Sequence, residues 1–298
     1  MISEIAQDKD LFGNEIEKKK ILREEFIEPP FTILDSKQGN WQRRKNTWKE
    51  LGIKSEVGRE TTKGKGFAQH QGKKQHAEST QRIVDVGTIS IFDPALCEVL
   101  YKWFCIEQGK ILDPFAGGSV RGIVAEYLGY KYTGIDIRKN QIDSNYEQAK
   151  EILENNQQPK WHIGDANKVL DTINEEFDFV FSCPPYGDLE IYSNLEDDIS
   201  NMDYFKFLKI YEEIIDKSCK LLKKDGYVCF VVGDFRDKKG NYRGFVADTI
   251  NAFRNCGMFF YNDAVYVSPV GSASMRASTN MKNKKLVKIH QNVLVFRK

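Results

Sequence analysis

Apolar positions change their spacing several times along the chain, and each change marks an element. Residues 94–105 (PALCEVLYKWFC) open on proline and continue at helical spacing, which predicts a helix. Residues 110–112 (KIL) predict a short strand ending at Asp113, and 119–128 a helix. Strand 131–136 (KYTGID), helix 140–155, strand 160–163 and strand 178–182 (DFVFS) follow. A helix over 203–222 leads into the very apolar run 227–233 (YVCFVVG), and another helix is expected near 244–256. Segments 260–268 (FYNDAVYVS) and 292–297 (NVLVFR) read as a closing strand pair. Strand–helix alternation of this kind predicts an α/β fold, a sheet covered on both faces and joined by right-handed crossovers.

Before residue 90 the pattern is different. Residues 1–35 begin charged and helix-prone (EIEKKKILREEF) and stop at Pro29-Pro30. Residues 36–82 hold twelve basic residues against four acids, a local charge of about +8. Within that tract, 36–50 reads as a helix in which Trp41 and Trp48 share one face. That arrangement puts the tryptophans inward and Arg43, Arg44 and Lys45 toward phosphate. Residues 61–80 are poor in apolar groups and read as a mobile loop, in which His70 and His76 are expected to be solvated. A second basic tract, 271–288 (GSASMRASTNMKNKKLVK), has five cations and no acid and reads as a loop suited to a nucleic-acid backbone. Arg276, Lys282, Lys284 and Lys285 are its contact candidates. Lys238, Lys239 and Arg243 are expected on the same rim. The expected division is a basic helical extension, 1–85, and a main domain, 86–298.

Composition narrows the class. At 298 residues, with 41% hydrophobic and 12% aromatic residues, the chain has ample material for a core, which excludes global disorder. No apolar run approaches the roughly 18–20 residues of a membrane span, and MISEIAQDKD lacks the pattern of a secretory leader. Net charge is +1, so only its distribution is informative. The six cysteines form no CxxC pair, which argues against a zinc site or disulfide framework and for thiols of a reducing cytoplasm.

The candidate chemistry begins at ILDPFAGGSVRGIVAEYLGYKYTGIDI, residues 111–137. A strand runs into Asp113, then Pro114, Phe115, Ala116, Gly117 and Gly118, then a helix. Glycines there let a ligand touch the backbone. Asp136, with Ile137 after it, ends the second strand where an acid can hold ribose hydroxyls. Asp165, followed by Ala166, ends the third, where an acid could accept from an adenine amine. The turn lacks the full GxGxxG that a pyrophosphate wants. An adenosine ligand without phosphates fits better, which points to S-adenosylmethionine. A second motif, Ser182-Cys183-Pro184-Pro185-Tyr186, ends an apolar strand. Two prolines fix a carbonyl's direction, and Tyr186 offers a face for stacking on a flat base.

DPFAGG, an acid-terminated strand and then CPPY together resemble the S-adenosylmethionine-dependent DNA amino-methyltransferases, which modify cytosine N4 or adenine N6. SIFDPALCEVLYKWFC resembles their helix-plus-loop at the cofactor's methionine end, which brings in Phe92. DLFGNEI, PPFTILDSKQGNWQRRKNTW, NMDYFKFLKIYEEII and FVVGDFRDKKGNYRGFVADTI are similar to a group of phage and prophage DNA methylases. The resemblance implies a Rossmann-like class I methyltransferase fold, with a mostly parallel seven-stranded sheet and an antiparallel closing strand. It implies a cofactor site at Phe92, Asp113–Gly118, Asp136, Ile137, Asp165 and Ala166. It implies a base pocket at Ser182, Cys183, Pro184, Pro185 and Tyr186. Double-stranded DNA is the implied partner, with a cognate restriction endonuclease compatible and no membrane. The family places Asp, Asn or Ser before Pro-Pro, whereas here it is Cys183, a weak acceptor. Three alternatives stay open: the same pocket acting on RNA amines, ring-carbon methylation with Cys183 as nucleophile, and a non-catalytic DNA-binding module.

Overall fold

The computed structural model describes residues 22–54, 92–154, 158–186, 199–268, 271 and 273–298. The chain divides into two compact units, Met1–Phe31 and Thr32–Lys298. In the first, helix α1 (Leu22–Phe26) is followed by Glu28, which pairs with Arg23 at 3.4 Å. The tract 55–91, with the expected 61–80 loop and both its histidines, lies outside the described residues.

The second unit opens with β1 (Ile33–Asp35) and α2 (Gly39–Glu50). The alternating series then runs α3 (Pro94–Phe104), β2 (Lys110–Asp113), α4 (Val120–Tyr127), β3 (Lys131–Asp136), α5 (Lys139–Ile152), β4 (Lys160–Ile163), α6 (Ala166–Val169) and β5 (Phe177–Ser182). It closes with α7 (Tyr204–Lys220), β6 (Leu222–Val232), α8 (Phe245–Asn255), β7 (Phe259–Val267), α9 (Ala273–Lys282) and β8 (His290–Arg297). Among the described residues eight strands form one sheet, in the order β1-β7-β8-β6-β5-β2-β3-β4. Only β8 runs against its neighbours β6 and β7. The expected seven-stranded sheet is thus present with an eighth strand. That strand is β1, paired parallel to β7 through Ile33↔Val265 and Asp35↔Val267. Three residues are too few to show a two-residue alternation, so the sequence pattern does not reveal it.

The sheet order explains which residues are apolar. Strands β2, β3 and β4 step outward one way and β5 and β6 the other, so right-handed crossovers put α4 and α5 on one face and α7 on the opposite face. The central strands are then covered twice. Phe179, Val180 and Phe181 of β5 and Val228 to Val232 of β6 are fully buried, as strands of a two-sided parallel sheet must be. On α7, Phe207, Tyr211, Ile214, Ile215 and Cys219 form one buried stripe, and Asp203 caps the helix by accepting from the amides of Phe205 and Lys206.

Helix α2 falls within this unit, and its inner face carries polar anchors as well as rings. Trp41 Nε1 (3.2 Å), Lys45 Nζ (3.0 Å) and Tyr266 Oη (2.7 Å) all donate to Asp93 Oδ2. The other carboxylate oxygen of Asp93 caps α3 through the Ala95 amide at 3.0 Å. Trp48 Nε1 and the Arg44 guanidinium take both oxygens of Glu98, at 3.0 and 2.7 Å. The tryptophans face inward as expected, but Arg44 and Lys45 follow them instead of turning to solvent. Two carboxylates under the helix attract them more strongly than water does. Arg43 is the exposed cation of the three. Asp93→Ala removes a helix cap and strands three buried donors. It is expected to lower stability by about 2–4 kcal/mol, read from urea unfolding, while Asp93→Asn loses less because it still caps.

Candidate active site

All the parallel strands present their carboxyl ends at one edge, and the order reverses between β2 and β5, where a crevice opens in folds of this type. Both sequence motifs sit at that point. The glycine turn follows β2 and the diproline corner follows β5, and they are bonded to each other. Ser182 Oγ accepts from the Phe115 amide at 3.2 Å and donates to Asp113 Oδ1 at 2.5 Å.

Beneath the turn is a buried ionic lock. Asp113 has no exposed surface and also accepts from Arg121 Nε (2.5 Å), Tyr132 Oη (2.7 Å) and the Phe115 amide (3.2 Å). Arg121 donates further to the carbonyls of Phe115 (2.6 Å) and Ala116 (2.8 Å), and its guanidinium lies 4.7 Å from the Phe92 ring centroid. Burial alone pulls the Arg121 pKa down, but Asp113, followed by Tyr132 and Cys183, more than reverses this and holds the guanidinium charged. The acceptor capacity of Asp113 is spent on fixing the turn from below. Ala116 and Pro114 are likewise buried.

A second set of polar groups holds the turn from α5. Asn145 Nδ2 donates to the Gly117 carbonyl (2.8 Å), Gln141 Nε2 to Asn145 Oδ1 (2.9 Å), and Ser119 Oγ to Gln148 Oε1 (2.6 Å). Sequence reading missed Arg121 and this set. The signal was available: Gln141, Asn145 and Gln148 recur at helical spacing beside apolar Ile142 and Ala149, marking a polar stripe on a buried face. Held this way, Gly117 takes φ +53°, and among the described residues none beyond its chain neighbours has an atom within 4 Å of where its side chain would begin. The backbone there is open to a ligand.

The two later acids lie at or just after the ends of β3 and β4, the next two strands on one side of β2. Asp136 is half-buried at the end of β3 and pairs with Arg138, whose Nε lies 3.2 Å away. Asp165, at the end of β4, caps α6 through the Asn167 amide at 2.9 Å. Phe115 packs its ring near Tyr211 and Phe230 on the far side, and Phe92 stands edge-on to Phe181 at 5.6 Å.

At the diproline corner, Pro184 is buried and Cys183 half-buried. Cys183 lies within electrostatic reach of Arg121 and Tyr211. The Tyr186 ring is braced by Phe235 and Phe245, each at 6.1 Å, and its hydroxyl accepts from Gln291 Nε2.

The second basic tract is not the loop expected. Ala273–Lys282 is a helix, α9, because ASMRASTNMK is rich in good helix formers. Met275, Lys282, Lys284 and Leu286 are exposed, Arg276 is half-buried, and the stem of Lys285 rests on Gly240 beside Lys238 and Lys239.

Residues 177–298 match the family model described as DNA methylase. A Type II methyltransferase, M.BglII of Bacillus subtilis, is 28% identical over 146 residues, covering 47% of this chain and 37% of that protein. The chain thus spans well under half the length of that relative. A Methanothermococcus thermolithotrophicus protein named "Probable tRNA (guanine(10)-N2)-dimethyltransferase" is 28% identical over 133 residues, 42% of this chain and 71% of its own. Among solved structures, TrmN from Thermus thermophilus aligns with TM-score 0.46 and 14% identity over 70% of this chain and 49% of its own. The methylase match, which contains CPPY, agrees with the resemblance read from the sequence and with S-adenosylmethionine as the cofactor. The residues present fit that group: open space over Gly117, a half-buried carboxylate at Asp136 and another at Asp165, without a phosphate cradle. No helix among the described residues is long and apolar enough to cross a membrane.

Proposed function

Taking as premise that residues 177–298 carry a DNA methylase domain, we propose that the chain is a DNA amino-methyltransferase. It transfers a methyl group to the exocyclic amine of cytosine (N4) or adenine (N6) in duplex DNA. The observation that carries this reading is the hydrogen bonding of the Asp113 turn to Ser182 at the head of the diproline corner, which sets the cofactor and base motifs on one crevice. S-adenosylmethionine supplies an electrophilic methyl when bound. Asp136 and Asp165 hold its ribose and adenine ends, and Gly117 allows it to approach the backbone. The target base leaves the duplex stack at a cost of a few kcal/mol and rests on Tyr186. The Pro184 carbonyl accepts from its amine, and most of the remaining effect is positioning. Arg43, Arg276, Lys282, Lys284 and Lys285 grip the backbone, in a cytoplasmic enzyme that need not act with a restriction endonuclease.

The partial match to a protein named as a tRNA guanine-N2 dimethyltransferase favours one second reading, RNA amine methylation in the same pocket. Tritiated S-adenosylmethionine offered with duplex DNA, tRNA and rRNA in parallel separates the two. Label in DNA alone supports the proposal, and label in RNA alone replaces it. Cys183→Ser tests the ring-carbon alternative. An amine methylase is expected to keep at least roughly a tenth of its turnover, since a hydroxyl accepts where the thiol barely does. A cysteine nucleophile would leave none.

A further inference from the structure

Family members place an acceptor directly before the two prolines, and here that place holds Cys183, which cannot take a proton well from an amine. The neighbouring strand ends in a carboxylate that could. Strand β6 pairs in parallel with β5, Ser182 opposite Phe230, so both chains leave the sheet together at the same edge. Tyr186 then touches both neighbours of Asp234. Its hydroxyl lies 3.7 Å from where a side chain on Gly233 would begin, and its ring lies 6.1 Å from that of Phe235.

The geometry points to Asp234 as a catalytic residue, the carboxylate that accepts the amine's proton in place of the family's residue at position 183. This rests on the amine-methylation reading above. Among the described residues Asp234 Oδ1 is buried without a hydrogen-bond partner. A stranded carboxylate oxygen is costly unless a ligand satisfies it. Asp234 lies within electrostatic reach of Tyr204, which gives its own hydroxyl to Asp248 at 2.6 Å. Lys288 Nζ lies 3.8 Å from the same point above Gly233, beside Gln291, so a donor stands next to the acceptor. Burial lowers the Lys288 pKa and Asp234 partly offsets this, so the two lie within electrostatic reach of each other. A carboxylate, an ammonium and an aromatic face together match a flat base with an amine donor beside ring acceptors.

The step balances. The amine nitrogen forms a bond to the methyl carbon as the carbon–sulfur bond of the sulfonium breaks and its electron pair returns to sulfur. The proton leaving nitrogen passes to Asp234 and later to water.

The test is single-turnover methyl transfer to duplex DNA by wild type, Asp234→Asn, and Asp234→Asn combined with Cys183→Asp, with dissociation constants for S-adenosylmethionine and DNA measured on each. Asp234→Asn, near-isosteric, should slow transfer about 100-fold or more while both constants stay within about threefold. Adding Cys183→Asp restores an acceptor at the family position and should recover at least about tenfold of that loss. A single variant within threefold of wild type overturns the assignment. So does a loss of rate matched by an equal loss of DNA affinity, or a loss that Cys183→Asp does not recover. Wild type that labels no DNA refutes the amine-methylation reading itself, and that result comes before any variant.

Discussion

Arg121→Met is expected to cost about 3–5 kcal/mol of stability, because it leaves the Asp113 carboxylate buried without the counter-charge it pairs with. For a domain of this size that is a fall in melting temperature on the order of 10 °C. The guanidinium joins Asp113, two turn carbonyls and the Phe92 ring, so no single replacement reproduces it. Arg121→Lys keeps the charge but lacks the planar fork that reaches both carbonyls, and should recover only part of the loss. Calorimetric melting measures both. A methionine variant that melts with wild type would mean that Asp113 is held well enough by Tyr132, Ser182 and the Phe115 amide alone.

The second large effect is expected at Gly117. Its φ of +53° costs a residue with a side chain about 1–2 kcal/mol, and the space above it is open. Gly117→Val therefore destabilises the turn modestly but fills the volume that a ligand would occupy. Affinity for S-adenosylmethionine should fall about 100-fold, equivalent to about 2.7 kcal/mol, with the fold retained. Gly117→Ala should fall between the two. Isothermal titration with circular dichroism on the same samples separates lost binding from lost structure. Undiminished affinity in the valine variant would place the cofactor elsewhere.

The core strands and long helices were legible in the sequence because each has a strong local signature. DFVFS and YVCFVVG are continuous apolar runs of the kind only two-sided strands require, and 203–222 carries a clear helical stripe. Both chemical motifs were legible too, since glycine and proline punctuate the chain where strands end. What sequence could not supply is pairing between distant residues. Strand β1 exists because β7 has a free edge. Arg44 and Lys45 turn inward because Glu98 and Asp93, some fifty residues on, lie beneath α2. The sharing of the Asp113 oxygens among Arg121, Tyr132 and Ser182 shows only in the folded chain. Asp234 carries no local signal, and its buried oxygen without a partner among the described residues shows only in the folded chain. Most of these deciding neighbours lie far along the chain, where local pattern carries no information about them.

Nucleoside mass spectrometry of duplex DNA incubated with the protein and isotopically labelled S-adenosylmethionine tests the central claim most directly. Labelled N4-methylcytosine or N6-methyladenine is the predicted product. A label on the pyrimidine ring carbon, or no labelled nucleoside at all, would contradict the account.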